Sequence, residues 1–279
     1  YQGSFCGLYG VAIGQEGEDA QTGFSMDFTL QYKELNPIKV GREAGKKAVQ
    51  MLGGQTMPSA KLPVVLDPYV MVGILGVLQA AFSGEAVLKG TSFLAGKEGE
   101  KVASPLVRII DHGALNGRLG SSPFDSEGIP TGETVLIKDG KLQGFLHNLY
   151  TARKTGVTST GNAVRASYKS TPEVGTTNFY LEQGSVSRQE LLGEIKQGLY
   201  VTEVMGLHTA NSISGDFSLG AAGLLIENGE LTSPIKGVAL AGNLQDLLMG
   251  IDAVADDLTF YVGQGAPTVR IQGLTISGK

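Results

Sequence analysis

Three histidines, His112, His147 and His208, are the only imidazoles in the 279 residues, and each lies far along the chain from the next. A zinc site on one helix needs ligands about one turn apart, and a ribbon site needs them closer still. Neither spacing occurs. His112 follows the apolar run Leu106–Ile110 and His147 follows the alternating run Leu142–Leu146, so both are expected at strand ends as hydrogen-bonded turn residues. His208 opens a Gly/Ser/Asn-rich loop that reaches Asp216, the one place where a His, an acid and a nearby Ser could assemble relocated hydrolase chemistry. The nucleophile-elbow pattern Gly-x-Ser-x-Gly is absent. Cys6 is the only thiol and sits between Phe5 and Gly7 in an apolar strand, which points to packing. One cysteine excludes an internal disulfide and a thiolate-rich zinc site, with a cytoplasmic location as the default. The segment Gly161–Arg165 lacks the Gly-Lys-Ser/Thr of a phosphate loop and reads as a strand and turn. Within it, the Arg165 guanidinium suits a peptide carboxylate or an internal acid such as Asp125 or Glu127, with the internal pairing preferred.

Composition narrows the remaining classes. With 42% hydrophobic and 18% charged residues, the chain has the make-up of a globular protein with a sizeable core. The net charge of −5, with no basic run, gives nucleic-acid binding no electrostatic support. The longest apolar stretch, Val70–Phe82, is too short for a bilayer and is interrupted by glycines, so a buried helix is expected there and no membrane partner. The 41 glycines suit many tight turns and closely packed strands. The chain opens at Tyr1 without a Met, the expected start of a fragment of something longer.

The elements that must hold these residues are more strand than helix. Alternation predicts strands over 4–13 and 22–32, and amphipathic spacing predicts a helix from Gly41 to Leu52 closed by Gly53-Gly54. A strand over Leu62–Leu66 leads through Asp67-Pro68 into the buried helix Tyr69–Phe82. Residues 88–104 are polar and Gly-rich, a mobile surface connection. Two hairpins are expected, turning at Asp139-Gly140 and at Asn228-Gly229, both dipeptides that tolerate the positive φ of type I′ turns. Their similar strand-turn-strand patterns hint at duplication of a β unit. Ser187 and Glu190 form a capping box before a helix to Gln197, and another helix starts near Asn243 and carries Leu244, Leu247, Leu248 and Ile251. The tail alternates again through Val269, Ile271, Leu274 and Ile276. The fold class is therefore α+β, with strand-rich mixed or antiparallel sheets, a few inserted helices and room for partial barrel closure.

Several blocks carry a resemblance. They are Gly41-Arg42-Glu43-Ala44, Phe124 to Pro130, Thr151 to Gly156 with Thr160-Gly161-Asn162, Leu225 to Glu230, Pro234 to Gly237, and Gly263-Gln264-Gly265-Ala266-Pro267. In order and spacing the sequence resembles the TldD/PmbA family of peptidase-related proteins, once described as modulators of DNA gyrase. The match covers one large domain over 1–279 and corresponds to the C-terminal region of such proteins, without their N-terminal domain. The resemblance implies a two-subunit zinc metallopeptidase acting on unfolded or small peptides. One subunit carries His-Glu-x-x-x-His and a later Cys, and the other lacks them and helps enclose the chamber. The positions matching that motif are Gln79, Ala80 and Gly84, none able to hold zinc or take a proton from its water. The Cys-bearing loop is reduced to Thr259-Phe260-Tyr261-Val262, and no His precedes Asp111.

The sequence reading is thus a non-catalytic, PmbA/TldE-like subunit with no metal and no cofactor of its own. Its expected partners are a zinc-bearing TldD-like subunit or a second copy of itself, and a peptide. Strand addition to a Gly-rich sheet edge is the simplest way to hold that peptide. The candidate peptide-cleft residues are Asn162, Arg165, His208, Asn211 and Asp216. Two alternatives stay open: a self-associating peptide-binding or assembly protein with no protease partner, and a hydrolase with relocated residues near His208. A role at gyrase gains nothing from the sequence.

Overall fold

In the computed structural model, which describes residues 3–279, the chain starts with a long hairpin of β1 (Cys6–Glu16) and β2 (Asp19–Thr29). Tyr1 and Gln2, with which the expected opening of the chain begins, lie outside the described residues. Helix α1 (Pro37–Gln50) lies on one face of the hairpin and buries Val40, Ala44 and Ala48 there. It begins four residues before the expected Gly41, because Asn36 caps the Lys39 N–H and Pro37 fits the first turn. Small residues on the facing side of the hairpin let the helix approach closely: a Cβ on Gly23 would collide with the Ala44 carbonyl.

Strand β3 (Ala60–Leu66) enters helix α2 (Pro68–Leu78), capped by Asp67 with Pro68 in its first turn. The expected buried helix to Phe82 ends earlier, and Gln79–Phe82 tightens into a 3₁₀ turn before the short α3 (Gly84–Leu88). Val70, Met71, Val72, Ile74, Leu75 and Leu78 are buried, as an almost wholly apolar helix must be. The connection over 88–104 is irregular but pinned, which corrects the expected mobile surface loop. Leu94, Val102 and Ala103 are buried, and the Ala103 and Ser104 N–H groups donate to Gly140 O and Leu248 O.

Strands β4 (Ile109–His112), β5 (Glu133–Lys138) and β6 (Lys141–Leu142) follow. Helix α4 (Leu149–Thr155), the two-residue strands β7 (Ala163–Val164) and β8 (Glu173–Val174), and β9 (Phe179–Leu181) come next. Helix α5 (Arg188–Gly193) has the expected Ser187/Glu190 capping box but stops short of Gln197, where β10 (Gln197–Met205) begins. The long strands β11 (Asp216–Glu227) and β12 (Glu230–Asn243) lead to α6 (Leu244–Met249). The chain closes with β13 (Ile251–Val254), β14 (Thr259–Tyr261), β15 (Gln264–Ala266) and β16 (Val269–Ser277). Ile251, expected on the last helix, instead starts β13.

Two six-stranded sheets organise the described residues. One runs β12-β11-β10-β3-β16-β13, and an added β12–β16 pairing closes its first five strands into a barrel, removing their free edges. Only β10 and β3 are parallel in it. Val64 and Leu66 pack with α2 in the larger core, while Val65 packs the opposite way with Leu191, Leu192 and Tyr200. The apolar phase of the tail slips between Ile271 and Leu274, and Gly273 sits there at φ +67, the site of a register shift in the β16–β3 ladder. The other sheet runs β14-β15-β9-β4-β5-β6. Both expected hairpin turns form with two positive-φ residues each, at Asp139-Gly140 and Asn228-Gly229, but in different sheets. The architecture is strand-rich α+β with six α-helices and a closed five-strand barrel among the described residues. No helix is long and apolar enough to cross a membrane among them.

Candidate functional site

At the C-terminal end of α2, the Gln79 Oε1 accepts hydrogen bonds from Thr176 Oγ1 and from Gln264 Nε2, each at 3.0 Å. This amide ties three separate segments together: the helix end, the loop before β9, and β15. Gly76, one turn earlier, leaves space that the Gln264 side chain occupies at 3.6 Å from where a Cβ would stand. Gly73, a further turn back, is covered by Leu207, the first residue of the 3₁₀ turn Leu207–Thr209 that carries His208. A stripe of small residues, Gly73, Gly76 and Ala80, therefore opens one side of an otherwise buried helix toward the β15 hairpin and the His208 turn.

Gly84 lies against His147. A Cβ on residue 84 would overlap the imidazole, 2.6 Å from its Cε1, and would stand 2.9 Å from the Leu146 carbonyl oxygen. The backbone there is shared as well, with Gly84 N–H donating to Leu146 O at 2.9 Å and Leu146 N–H donating to Phe82 O at 2.8 Å. The ring of His147 is buried, and its Nδ1 lies 3.2 Å from Thr151 Oγ1. Burial holds its pKa below the ordinary imidazole value, favouring the neutral ring. So His147, expected at a strand end, is an interior residue that fills the space left by the missing side chain at 84. The donor set at the three positions expected to match the zinc motif does not fit a zinc ion: Gln79 offers a weakly ligating amide already engaged, Ala80 a methyl group, and Gly84 nothing. Among the described residues no three His, Cys, Asp or Glu side chains cluster closely enough to hold a metal.

Behind the Gln79 latch lies a buried acid. The Asp111 carboxylate, on β4, accepts from the Thr177 N–H (2.7 Å), the Thr177 hydroxyl (2.8 Å) and the Asn162 Nδ2 (2.6 Å). Burial pushes its pKa up despite these three donors. Asn162 in turn donates to Gly175 O and accepts from Thr160 Oγ1. The network thus fixes the 175–177 segment, and with it the Thr176 hydroxyl that holds Gln79. Nothing in the spacing of Asp111, Asn162 and Thr177 announces it; an acid ending an apolar strand is the only sequence signal.

The candidate cleft residues do not converge. Asn162 is buried in the Asp111 network. Arg165 donates to Ser170 O at 2.6 Å, closing its own loop, and the preferred pairing with Asp125 or Glu127 is absent. Those two acids bind backbone instead, Asp125 accepting from the Glu127, Ile129 and Ala163 N–H groups and Glu127 from Leu149 N–H at the start of α4. Asn211 caps its own loop through the Ile213 and Ser214 N–H groups. Asp216 accepts from Asn243 Nδ2 (2.9 Å) and Ser214 Oγ (2.7 Å), which hold its carboxyl below the usual range. His208 is exposed and hydrogen-bonded to neither Ser214 nor Asp216, so no triad is assembled there. His112 takes its expected place at the end of β4, where its Nδ1 accepts the Ala114 N–H. Cys6 is half-buried on the hairpin beside Thr29 rather than packed in the core.

Comparison with known proteins matches residues 59–278 to the PmbA/TldA metallopeptidase C-terminal domain. A metalloprotease of Methanothermobacter thermautotrophicus is 34% identical over 96% of this chain and 61% of its own length. The PmbA homologue of Haemophilus influenzae is 33% identical over 94% of this chain and 56% of its own. Among solved structures, a Thermotoga maritima protein described as a candidate modulator of DNA gyrase superposes with a TM-score of 0.91 at 36% identity, covering 97% of this chain and 62% of that one. TldE from Thermococcus kodakarensis superposes with a TM-score of 0.91 at 28% identity, over 98% and 63%. The chain spans about three-fifths of the length of these relatives.

Proposed function

The chain belongs to the PmbA/TldD metallopeptidase family, and from that premise we propose that it is the non-catalytic half of a two-subunit peptidase, shaping the chamber in which a zinc-bearing partner cleaves unfolded or small peptides. The observation that carries this reading is the state of the α2 end. Gln79 is latched by two hydrogen bonds, Ala80 offers no base, and the ring of His147 fills the place of a side chain at 84. A member that had only lost its ligands would keep an open pocket there; here the volume is taken and the polar atoms are paired.

The test is metal content and peptidase activity of the purified chain, alone and mixed with a family member that bears His-Glu-x-x-x-His. We expect no stoichiometric zinc and no cleavage of an unfolded peptide by the chain alone, and chelator-sensitive cleavage only with the partner. Chelator-sensitive cleavage by the chain free of any partner would overturn the proposal. So would a mixture in which the two proteins never co-elute.

A further inference from the structure

A cleft of about 580 Å³ opens between the β1–β2 hairpin and the loop that joins β4 to β5. Residues 3–5 and Leu30, at the open end of the hairpin, form one wall, and residues 113–119 and 121–123 form the other. No lining residue is acidic, and Arg118 is the one cation among them. Its guanidinium lies over the Phe260 ring, 3.9 Å from the centroid, and makes no ion pair among the described residues. Stacking of this kind uses the face of the planar group and leaves its edge of N–H donors free. Glu133 and Glu182 act on Tyr180 alongside Arg118, but neither lines the cleft, and Arg108 pairs with both at 3.4 Å. Glu34 belongs to an adjoining hollow of about 250 Å³, which shares Leu30, Gly117, Arg118 and Leu119 with the cleft.

The loop that presents Arg118 is fastened to the body of the protein. Asn178, wholly buried just before β9, accepts the Gly120 N–H at 3.1 Å. Its Nδ2 donates to His112 O at 2.8 Å and to Ser121 Oγ at 2.9 Å. The neck of the loop closes where Ser122 N–H donates to Gly113 O at 2.9 Å. Gly120 lets the loop sit close, because a Cβ there would stand 2.5 Å from Thr177 O. Arg118 N–H closes a turn on Leu115 O at 3.3 Å, with Gly117 at φ +73 in the position that favours glycine. The Ser121 and Ser122 hydroxyls are spent on Leu115 O and Phe124 O. The N–H groups of Leu115, Asn116, Gly117 and Leu119 have no acceptor among the described residues, and all four residues line the cleft.

We propose that this cleft binds the free C-terminal carboxylate of a short peptide whose last side chain is apolar. A planar carboxylate meets the edge of a guanidinium through two parallel hydrogen bonds. One cation with no second beside it matches a single negative charge better than the double charge of a phosphate. Backbone N–H groups without partners are the other donors that capture a terminal carboxylate. Phe5, Leu30 and Leu119 in the same lining offer apolar surface to the last side chain. The stacked pair also adjoins the α2 end, since Phe260 stands on β14 and Gln264, which holds Gln79, on β15 of the same hairpin. That the anion is a peptide end rests on the peptidase reading, whereas the cationic cleft itself needs neither zinc nor a partner subunit.

The test is calorimetric titration of the whole chain, with no partner and no metal, using acetyl-Ala-Ala-Leu as the free acid and as the amide. Inorganic phosphate is titrated in parallel. We expect the free acid to bind, and the amide and phosphate each to bind about tenfold or more weakly. Affinity for the acid should fall as salt rises. Arg118→Gln should lose about tenfold or more with an unchanged circular dichroism spectrum, and Arg118→Lys should restore only part of the loss. The comparison of acid with amide uses the unaltered chain and so does not depend on how a variant folds. Equal binding of acid and amide, phosphate binding as tightly as the acid, full affinity in Arg118→Gln, or no binding overturns the proposal. These outcomes leave the two-subunit reading to its own test, which is judged by zinc content and cleavage.

Discussion

Placing a side chain on residue 84 has a cost that the geometry allows to be worked out. In Gly84→Ala the new methyl carbon would overlap Nδ1 and Cε1 of His147 and stand 2.9 Å from Leu146 O. The carbonyl belongs to a backbone bridge in which Gly84 N–H also donates to Leu146 O, so it cannot retreat without loosening that bond. The imidazole must yield, and turning it breaks its contact with Thr151 Oγ1. Overpacking of a tight interior costs about 1–3 kcal/mol, and a lost hydrogen bond about 0.5–1.5 kcal/mol. The gain in helix propensity on replacing Gly returns about 0.5–1 kcal/mol. The net expectation is a loss of about 1–3 kcal/mol, or roughly 2–12 °C in Tm at about 2–4 °C per kcal/mol for a domain of this size. The decisive measurement is a double-mutant cycle in urea with Gly84→Ala, His147→Ala and both together. Removing the ring should make the methyl at 84 harmless, giving a coupling energy of about 1–2 kcal/mol. A Gly84→Ala variant as stable as the parent, or a cost unchanged on the His147→Ala background, would show that the ring does not occupy the space assigned to it.

Two further expectations concern carboxylates. Asp19 accepts from Gly53 N–H at 2.7 Å, from Gln21, and from Lys236 at 3.0 Å, and these bonds lower its pKa from 3.8 to about 2. A depressed native pKa stabilises above the unfolded value and is lost as pH falls through the native one. Between pH 4 and pH 2 the protection of the Gly53 amide, relative to its intrinsic exchange rate at each pH, should therefore fall, and Asp19→Asn should abolish that pH step; a step that persists in the variant refutes the assignment. Asp111 has the opposite sign, its pKa being raised by burial. Its contribution is full below the unfolded carboxylate value and falls as pH rises through the raised native one. Asp111→Asn should flatten that part of the urea-stability profile while costing about 1–3 kcal/mol overall, because an amide nitrogen then faces the Asn162 or Thr177 donors. An unchanged profile would mean that another group titrates there.

Legibility along the chain follows the range of the interactions. Local chemistry was readable: the Asp139-Gly140 and Asn228-Gly229 turns, the Ser187/Glu190 capping box and the helix starting after Asn243 all depend on neighbours within a few residues. The tail reads as one alternating run, and the register shift between Ile271 and Leu274 emerges only once β3 lies alongside. What depended on distant partners was not. The Asn36 cap moves the α1 start upstream, and Ile251 leaves the helix because β16 offers it a strand partner. The polar, Gly-rich segment 88–104 looks solvated by composition, but Gly140 and Leu248 carbonyls pin it against the core. Arg165 and Asp125 are each attractive as ion-pair members until the backbone groups that satisfy them are known.

The candidate site shows the same division. That Gln79, Ala80 and Gly84 cannot grip zinc follows from residue types alone, whereas the contacts these residues make do not. A zinc ion would link the α2 end to other segments by ligation, and its removal would leave those segments unanchored. Here the linking is done by hydrogen bonds and packing: Gln79 to Thr176 and Gln264, Thr177 and Asn162 to Asp111, and His147 against Gly84. The partners are separated by between 51 and 185 positions, from Asn162 on Asp111 to Gln264 on Gln79, and no spacing rule joins them. Each is a satisfied contact in a buried or half-buried setting, where a complete network holds position and a half-satisfied one is costly. The end of α2 is therefore held in shape by hydrogen bonds and packing among its own segments.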